Sequence, residues 1–196
     1  MFVKNLWILF VSTYFLTSFI YLNKDLKNVG KIYTFTVLKL TFLQLFINIF
    51  FIYPLVMLIF GNYNIYRTEY YFPRFPIEII VNYYFYDIIL FYIHKLLHKR
   101  FFYNFIHKKR HLFYNTTAFS IYYSNPIDFV LIDILPIFFG LILLNAHYYT
   151  YYFFVFTETY LACKHSAGYG KNATFKNSHL KKQNKYFGIN MLMDNI

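Results

Sequence analysis

The residues with the clearest potential for chemistry are the histidines of HKLLHKRFFYNFIHKKRH, residues 94–111. His94 and His98 are four residues apart, which on a helix brings both imidazoles to one face, a turn apart. His107 and His111 repeat this spacing nine residues after His98. Neutral imidazole is a good ligand for iron, zinc and copper. A single pair is as readily explained by chance, but two pairs on neighbouring helices predict a metal site.

The composition indicates where these histidines lie. Hydrophobic residues make up 59% of the 196 residues and charged residues only 14%, whereas soluble domains carry about 25% charged residues. So few charges do not cover a water-exposed surface, and lipid is the simplest environment for the remaining apolar surface. The sequence therefore predicts an all-α, integral membrane helical bundle.

Five apolar stretches provide the helices of this bundle, at about 5–22, 33–60, 77–93, 127–145 and 147–163. A helix needs roughly 20 apolar residues to cross a bilayer core, and the second stretch is long enough to cross it with a tilt. The third contains Glu78, Asn82 and Asp87, which makes it a weaker candidate. The last two are separated only around Asn145 and predict a tight helical hairpin. We therefore expect four to five membrane-embedded helices.

Basic residues predict the side of the membrane on which the histidines lie. Segments 94–126 and 164–196 hold six of the seven histidines and most of the lysines and arginines. A hairpin between the segments makes an even number of crossings, so both emerge on one face, and their charge makes that face cytosolic. The net charge of +11 is explained by this flank, and no nucleic-acid partner is expected. His147 is interpreted as an ordinary turn residue on the far side.

The order of these motifs resembles the fatty acid hydroxylase/sterol desaturase family over about residues 80–196. Asp87 and Phe91-Tyr92 precede a first histidine box, His94-Lys95-Leu96-Leu97-His98. Phe102-Tyr103 follows, and the second box, His107-Lys108-Lys109-Arg110-His111, comes at the spacing seen in the family. Farther along, His165-Ser166-Ala167-Gly168-Tyr169 is similar to a histidine–serine–glycine–tyrosine element, and His179 lies where a third box is expected.

The chain also departs from the family pattern. Arg110 and Asn125 stand where the family has histidines, and the third box keeps only His179. A guanidinium does not ligate a metal and is repelled by one, so Arg110 is expected to oppose binding at a second site. The resemblance implies six remaining ligands: His94, His98, His107, His111, His165 and His179. Where the family holds two irons, we expect at most one tightly bound iron.

The resemblance implies an enzyme that hydroxylates or desaturates a membrane lipid, with no catalytic residues beyond the metal ligands. Its electrons would come from NAD(P)H through a reductase and a cytochrome b5-type donor, in a membrane of the endoplasmic reticulum type. Asp87 and Asp128 have two interpretations. They accept hydrogen bonds from metal-bound imidazoles and fix their tautomers, or they are interfacial polar residues or helix caps.

Two segments are predicted, with membrane-spanning helices in residues 1–76 and a hydroxylase-like domain, truncated at its C-terminus, in residues 77–196. The first functional hypothesis is a lipid-modifying oxygenase with a histidine-bound iron centre. The alternative is a non-enzymatic relative that keeps the fold and has an incomplete metal site. A third hypothesis, a transporter subunit with interfacial histidines, leaves the spacing from Asp87 to His111 unexplained.

Overall fold

A computed structural model describes residues 2–28, 30–61, 66–113 and 116–169 of the chain. Within these ranges the structure is helical and contains no strand, which confirms the predicted all-α class. The long helices are, in chain order, α1 (Phe2–Asn28), α2 (Lys31–Ile47), α3 (Tyr53–Gly61) and α4 (Arg74–Leu97). The second half contains the short α5 (Arg100–Phe102) and α6 (Pro126–Asp128), followed by α7 (Leu135–Leu143) and α8 (Tyr148–Ser166).

Two pairs of these helices are continuous, because a π-helical turn connects the members of each pair. A π-helical turn, Asn48–Ile52, connects α2 to α3, and another, Phe129–Ile134, connects α6 to α7. In the described residues, four helices are long and apolar enough to cross a membrane: Phe2–Asn28, Lys31–Ile59, Arg74–Leu97 and Pro126–Leu143. The helical bundle predicted from the apolar stretches is therefore confirmed, with four candidate spans, and the 19-residue α8 packs among them.

The polar residues of α4 are accommodated by facing into the bundle. Glu78, Asn82 and Asp87 are all buried, whereas Ile77 and Ile80 are exposed on the outer face of the same helix. Ionisable side chains within membrane helices typically face the protein interior, where other groups replace water. The apolar stretch with the most polar residues is therefore a candidate span with a polar inner face and an apolar outer face.

A tight turn joins α7 to α8, as the sequence predicts. Asn145 adopts a left-handed conformation with φ 45°, which asparagine tolerates better than most residues. His147 is buried; its Nδ1 accepts a hydrogen bond from the Tyr149 amide at 3.3 Å, and its Nε2 lies 3.1 Å from the Thr68 carbonyl. His147 therefore caps α8, in agreement with its interpretation as a turn residue.

The opposite end of the bundle gathers the segment after the histidine pairs and the ends of α1 and α8. Thr116 Oγ1 donates to the Ser166 carbonyl at 3.0 Å, and the Ala118 amide donates to the Asp25 carboxylate at 2.9 Å. The Tyr14 hydroxyl also donates to the Phe119 carbonyl at 2.8 Å. The polar chain that follows the second histidine pair is thus held at the same end as the C-terminus of α8.

Candidate metal centre

The first histidine pair lies at the C-terminal end of α4. His94 is in its last turn, and His98 follows directly after Leu97, where the helix ends. Lys99 is extended, with ψ 139°, so the chain changes direction before α5 begins at Arg100. This change of direction lets the next segment fold back toward His94 and His98 instead of continuing along the axis of α4.

The second pair lies on that returning segment. A π-helical turn, Tyr103–His107, runs into a 3-10 turn, Lys108–His111. His107 and His111 are both buried, and their rings are 4.7 Å apart between centroids. The predicted spacing of four residues therefore does place both imidazoles on one side, although the backbone between them is not a regular α-helix.

The four imidazoles meet at one point. One ring nitrogen from each of His94, His98, His107 and His111 lies within 4.8 Å of the others. Nε2 of His107 is 3.1 Å from Nε2 of His94 and 3.0 Å from Nε2 of His111. Ligands bonded to one ion at about 2.1 Å are about 3.0–3.4 Å from each other. The nitrogens of His94, His107 and His111 thus have two separations that match those of ligands to a single ion, and a nitrogen of His98 lies with them within 4.8 Å.

A buried carboxylate sets the orientation of His107. Asp128 Oδ1 lies 2.6 Å from His107 Nδ1, and because a carboxylate only accepts, Nδ1 carries the proton. In the neutral ring, Nε2 then has a lone pair that faces His94 and His111. One lone pair is poorly suited to two N–H donors at once, whereas a cation between the three nitrogens satisfies all of them. The donor set and its spacing therefore fit a metal ion.

Comparison with known proteins agrees with this geometry. The fatty acid hydroxylase family model matches residues 79–196, more than half of the chain. The chain belongs to the fatty acid hydroxylase family. No solved structure matches the chain. The four clustered histidines all lie in the matched region, and iron is the metal typical of this family.

Arg110 stands where fatty acid hydroxylases have a histidine, but it does not approach the site as an isolated charge. Its Nε donates to Asp128 Oδ2 at 2.6 Å, its Nη1 donates to Asp133 Oδ1 at 3.2 Å, and its Nη2 also contacts Asp133. Burial acts to lower the pKa of the guanidinium, but the two carboxylates more than offset it and raise the pKa above its ordinary value. The charge of Arg110 is therefore offset by two carboxylates, and its expected opposition to metal binding at a second site stays a prediction.

Asp133 is the polar residue of this region that the sequence analysis missed. It lies in the π-helical turn Phe129–Ile134, within a stretch that is otherwise apolar. The signal available was an acidic residue inside a membrane-length apolar run, where charges are costly and normally paired. Its partner, Arg110, is 23 residues away, so the sequence alone did not indicate the pair.

Asp87 and Asn125 also have defined positions. Asp87 is buried on α4, seven residues and about two turns before His94. Its action on the histidines stays a prediction. Asn125, the other departure from the fatty acid hydroxylase pattern, accepts a hydrogen bond from the Ile127 amide through its side chain at 3.0 Å. Asn125 therefore caps the N-terminus of α6, the helix that carries Asp128.

The two remaining predicted ligands are placed differently. His165 is in the last turn of α8 and is half-buried. It is not among the described histidines whose ring nitrogens lie within 4.8 Å of one another. His179 lies outside the described residues. The structure thus brings together four of the six predicted ligands, and the participation of the other two stays a prediction.

Proposed function

We propose that the chain is a membrane oxygenase that hydroxylates or desaturates a lipid at a histidine-bound iron centre. The observation that supports this most directly is the convergence of His94, His98, His107 and His111 on one point in a chain of the fatty acid hydroxylase family. Iron held by imidazoles supplies, when bound, the oxidising power to cleave unactivated C–H bonds with dioxygen.

The protein's own contribution is to hold and orient the ligands. Asp128 keeps the proton of His107 on Nδ1, so that Nε2 faces the other three rings. Arg110 holds Asp128 at its other oxygen, and Asp133 in turn holds Arg110. Such outer contacts typically contribute 10–100-fold in metal affinity or activity, at order-of-magnitude precision. The centre is thus preorganised by a network of buried charges.

The position of the centre supports a lipid as substrate. The four histidines lie at the end of α4 and in the segment directly after it, and α4 is a candidate span. A lipid chain that lies among the helices therefore approaches the histidines from the bilayer side. Exposed basic residues at this end include Lys95, Lys99 and Lys108, and they favour the cytosolic face of an endoplasmic reticulum-type membrane.

The electron source belongs to the same proposal. We propose a cytochrome b5-type donor with an acidic surface, reduced by NAD(P)H through a separate reductase, because exposed basic residues lie near the histidines. The positive surface near the histidines is complementary to an acidic donor.

The second candidate is a relative with a reduced metal site and little or no turnover. Arg110 in place of a family histidine, together with the convergence of only four histidines among the described residues, favours this alternative. The two candidates are distinguished by expressing the full chain in a host membrane and analysing lipids by mass spectrometry. A hydroxylated or unsaturated product that disappears in His107→Ala supports the oxygenase; no product from an iron-loaded chain supports the relative.

A further inference from the structure

The segment that carries the second histidine pair has two faces. His107 and His111 are buried toward the other histidines. Phe101, Phe105 and Leu112 are exposed on the outer side. Lys108 is exposed as well, so an apolar and basic outer side accompanies the buried histidines along the π-helical and 3-10 turns.

The exposed aromatic rings form a patch rather than isolated contacts. The Phe101 side chain is 68% exposed and that of Phe105 71%, and their ring centroids are 5.2 Å apart. Each phenylalanine left in water forfeits on the order of 1.5–3 kcal/mol relative to burial. The free energy of this surface is therefore unfavourable in water, because two adjacent rings and a leucine are all exposed on it.

The depth of the patch follows from α4. Exposed apolar residues on the outer side of α4 run from Ile77 to Leu96, a rise of about 28 Å at 1.5 Å per residue. A bilayer hydrocarbon core is about 30 Å thick. Leu96 thus lies near the edge of that core, and Phe101 follows within five residues, after the change of direction at Lys99. The patch is at the level where acyl chains meet headgroups.

Basic residues surround the same patch. Lys99, Arg100 and Lys108 are exposed beside the two phenylalanines. Lys109 donates to Gln44 Oε1 at 3.2 Å and so attaches the segment to the candidate span Lys31–Ile59. A helix with aromatic residues on one side and cations beside them is the typical pattern of an interfacial segment that contacts anionic lipids.

We propose that residues 100–112 are an interfacial membrane anchor, with Phe101, Phe105 and Leu112 inserted at headgroup depth and Arg100 and Lys108 bound to anionic headgroups. His107 and His111 occupy the other face of the same segment. The anchor therefore fixes the histidine cluster at the level of the first acyl-chain carbons below the headgroups. The proposal requires that the chain span a bilayer, but not that its centre turn over a lipid.

Depth-dependent quenching of tryptophan fluorescence tests this anchor in the full chain. Trp7 is the only tryptophan, so the background variant is Trp7→Phe, to which Phe105→Trp or Leu43→Trp is added. Leu43 is exposed in the middle of the span Lys31–Ile59 and serves as the matched control for the hydrocarbon core. Each protein is reconstituted in phosphatidylcholine and phosphatidylserine vesicles that carry bromine either near the headgroup or near the chain ends.

We expect tryptophan at position 105 to lose most of its emission to the shallow bromines, and tryptophan at position 43 to the deep ones. If only tryptophan at position 43 is quenched, the anchor is overturned. The side that carries Phe105 would then contact water or a protein partner instead of lipid. Quenching of position 105 mainly by deep bromines would overturn the headgroup depth. If position 43 is not quenched, the membrane setting itself fails, and this outcome is distinct from failure of the anchor alone.

The lipid selectivity is tested with bromine on one lipid class at a time. Brominated phosphatidylserine should quench position 105 more strongly than brominated phosphatidylcholine in the same mixture, because headgroup charge attracts the basic residues. The double variant Arg100→Gln/Lys108→Gln should lose this difference while position 43 is unaffected. Equal quenching by both lipids in the protein with Arg100 and Lys108 intact would overturn the assignment to anionic headgroups.

Discussion

Asp128 and His107 are in direct contact at 2.6 Å, and both side chains are fully buried. This contact connects the histidine cluster to a charge network that extends through Arg110 to Asp133. The two acids of this network are five residues apart on one helical segment, and Asp128 is the one in contact with His107. The effect of orienting a ligand is therefore separable from the effect of neutralising Arg110.

Replacement of Asp128 by asparagine should weaken metal binding more than replacement of Asp133. Asp128→Asn removes the charged acceptor that keeps the His107 proton on Nδ1, so affinity should fall about 10–100-fold. Asp133→Asn disturbs Arg110 and leaves the contact between Asp128 and His107 in place, so it should have a much smaller effect. Competition titrations with Co²⁺ against a chelator measure both. Equal losses in the two variants would argue against a specific orienting role.

Replacement of Arg110 by histidine should lower stability without adding a metal. The guanidinium is bound by two carboxylates, and removal of one partner from a buried ion pair costs about 3–5 kcal/mol. Arg110→Lys keeps the charge but not the planar fork, so its stability should be intermediate. Elemental analysis and thermal unfolding in detergent measure the two effects. A rise in metal per chain in Arg110→His would support the expectation that this arginine blocks a second site.

The parts of the fold that the sequence predicted are those governed by local spacing. The apolar stretches located the long helices, and the two histidine pairs located four converging imidazoles. Both signals depend on the period of a helix and on where a span ends. The short interruption around Asn145 similarly indicated the hairpin between α7 and α8, where Asn145 adopts a left-handed conformation.

The parts that escaped prediction depend on contacts between distant segments. Arg110 meets Asp128 and Asp133 only because the chain turns at Lys99 and returns along a π-helical and a 3-10 turn. Residue spacing does not encode such a change of backbone geometry, so the sequence did not indicate the carboxylate partners of Arg110. The position of His165, on a different helix, likewise depends on how α8 packs and not on any local pattern.

The topology predicts that neither natural glycosylation sequence is used. Asn115-Thr116-Thr117 and Asn172-Ala173-Thr174 both match the acceptor pattern, and the basic residues of the sequence predict a cytosolic position for both. The positive control is Tyr66→Thr, which converts the sequence Asn64-Ile65-Tyr66 into an acceptor; Tyr66 contacts Phe2 at the other end of the bundle. Glycosidase-sensitive mobility shifts in microsomes report modification. A glycan at either natural site would reverse the orientation.

Packing between α4 and α7 predicts a sharp effect of one added methyl group. A Cβ at Gly140 would overlap the side-chain oxygen of Asn82 and lie 2.8 Å from Phe85 Cβ. Small residues let membrane helices approach closely, so Gly140→Ala should force the helices apart and cost about 1–3 kcal/mol. Leu143→Ala, at a position 61% exposed, is the control and should change little. Thermal unfolding in detergent compares the two, and equal stability would show that the helices separate without penalty.

Metal content should be at most one iron per chain, because the described histidines converge on a single point. His107→Ala removes the ligand whose Nε2 is within 3.1 Å of two others, and it should lose most of the bound iron. His147→Ala is the matched control: it removes an equally buried imidazole at the opposite end of the bundle, so it should weaken the cap of α8 and retain iron. His165→Ala tests the additional predicted ligand, and unchanged iron content would exclude it. Elemental analysis of the purified proteins measures all four contents. Two irons in the wild-type chain would contradict the single-ion geometry and would require ligands beyond the four histidines described.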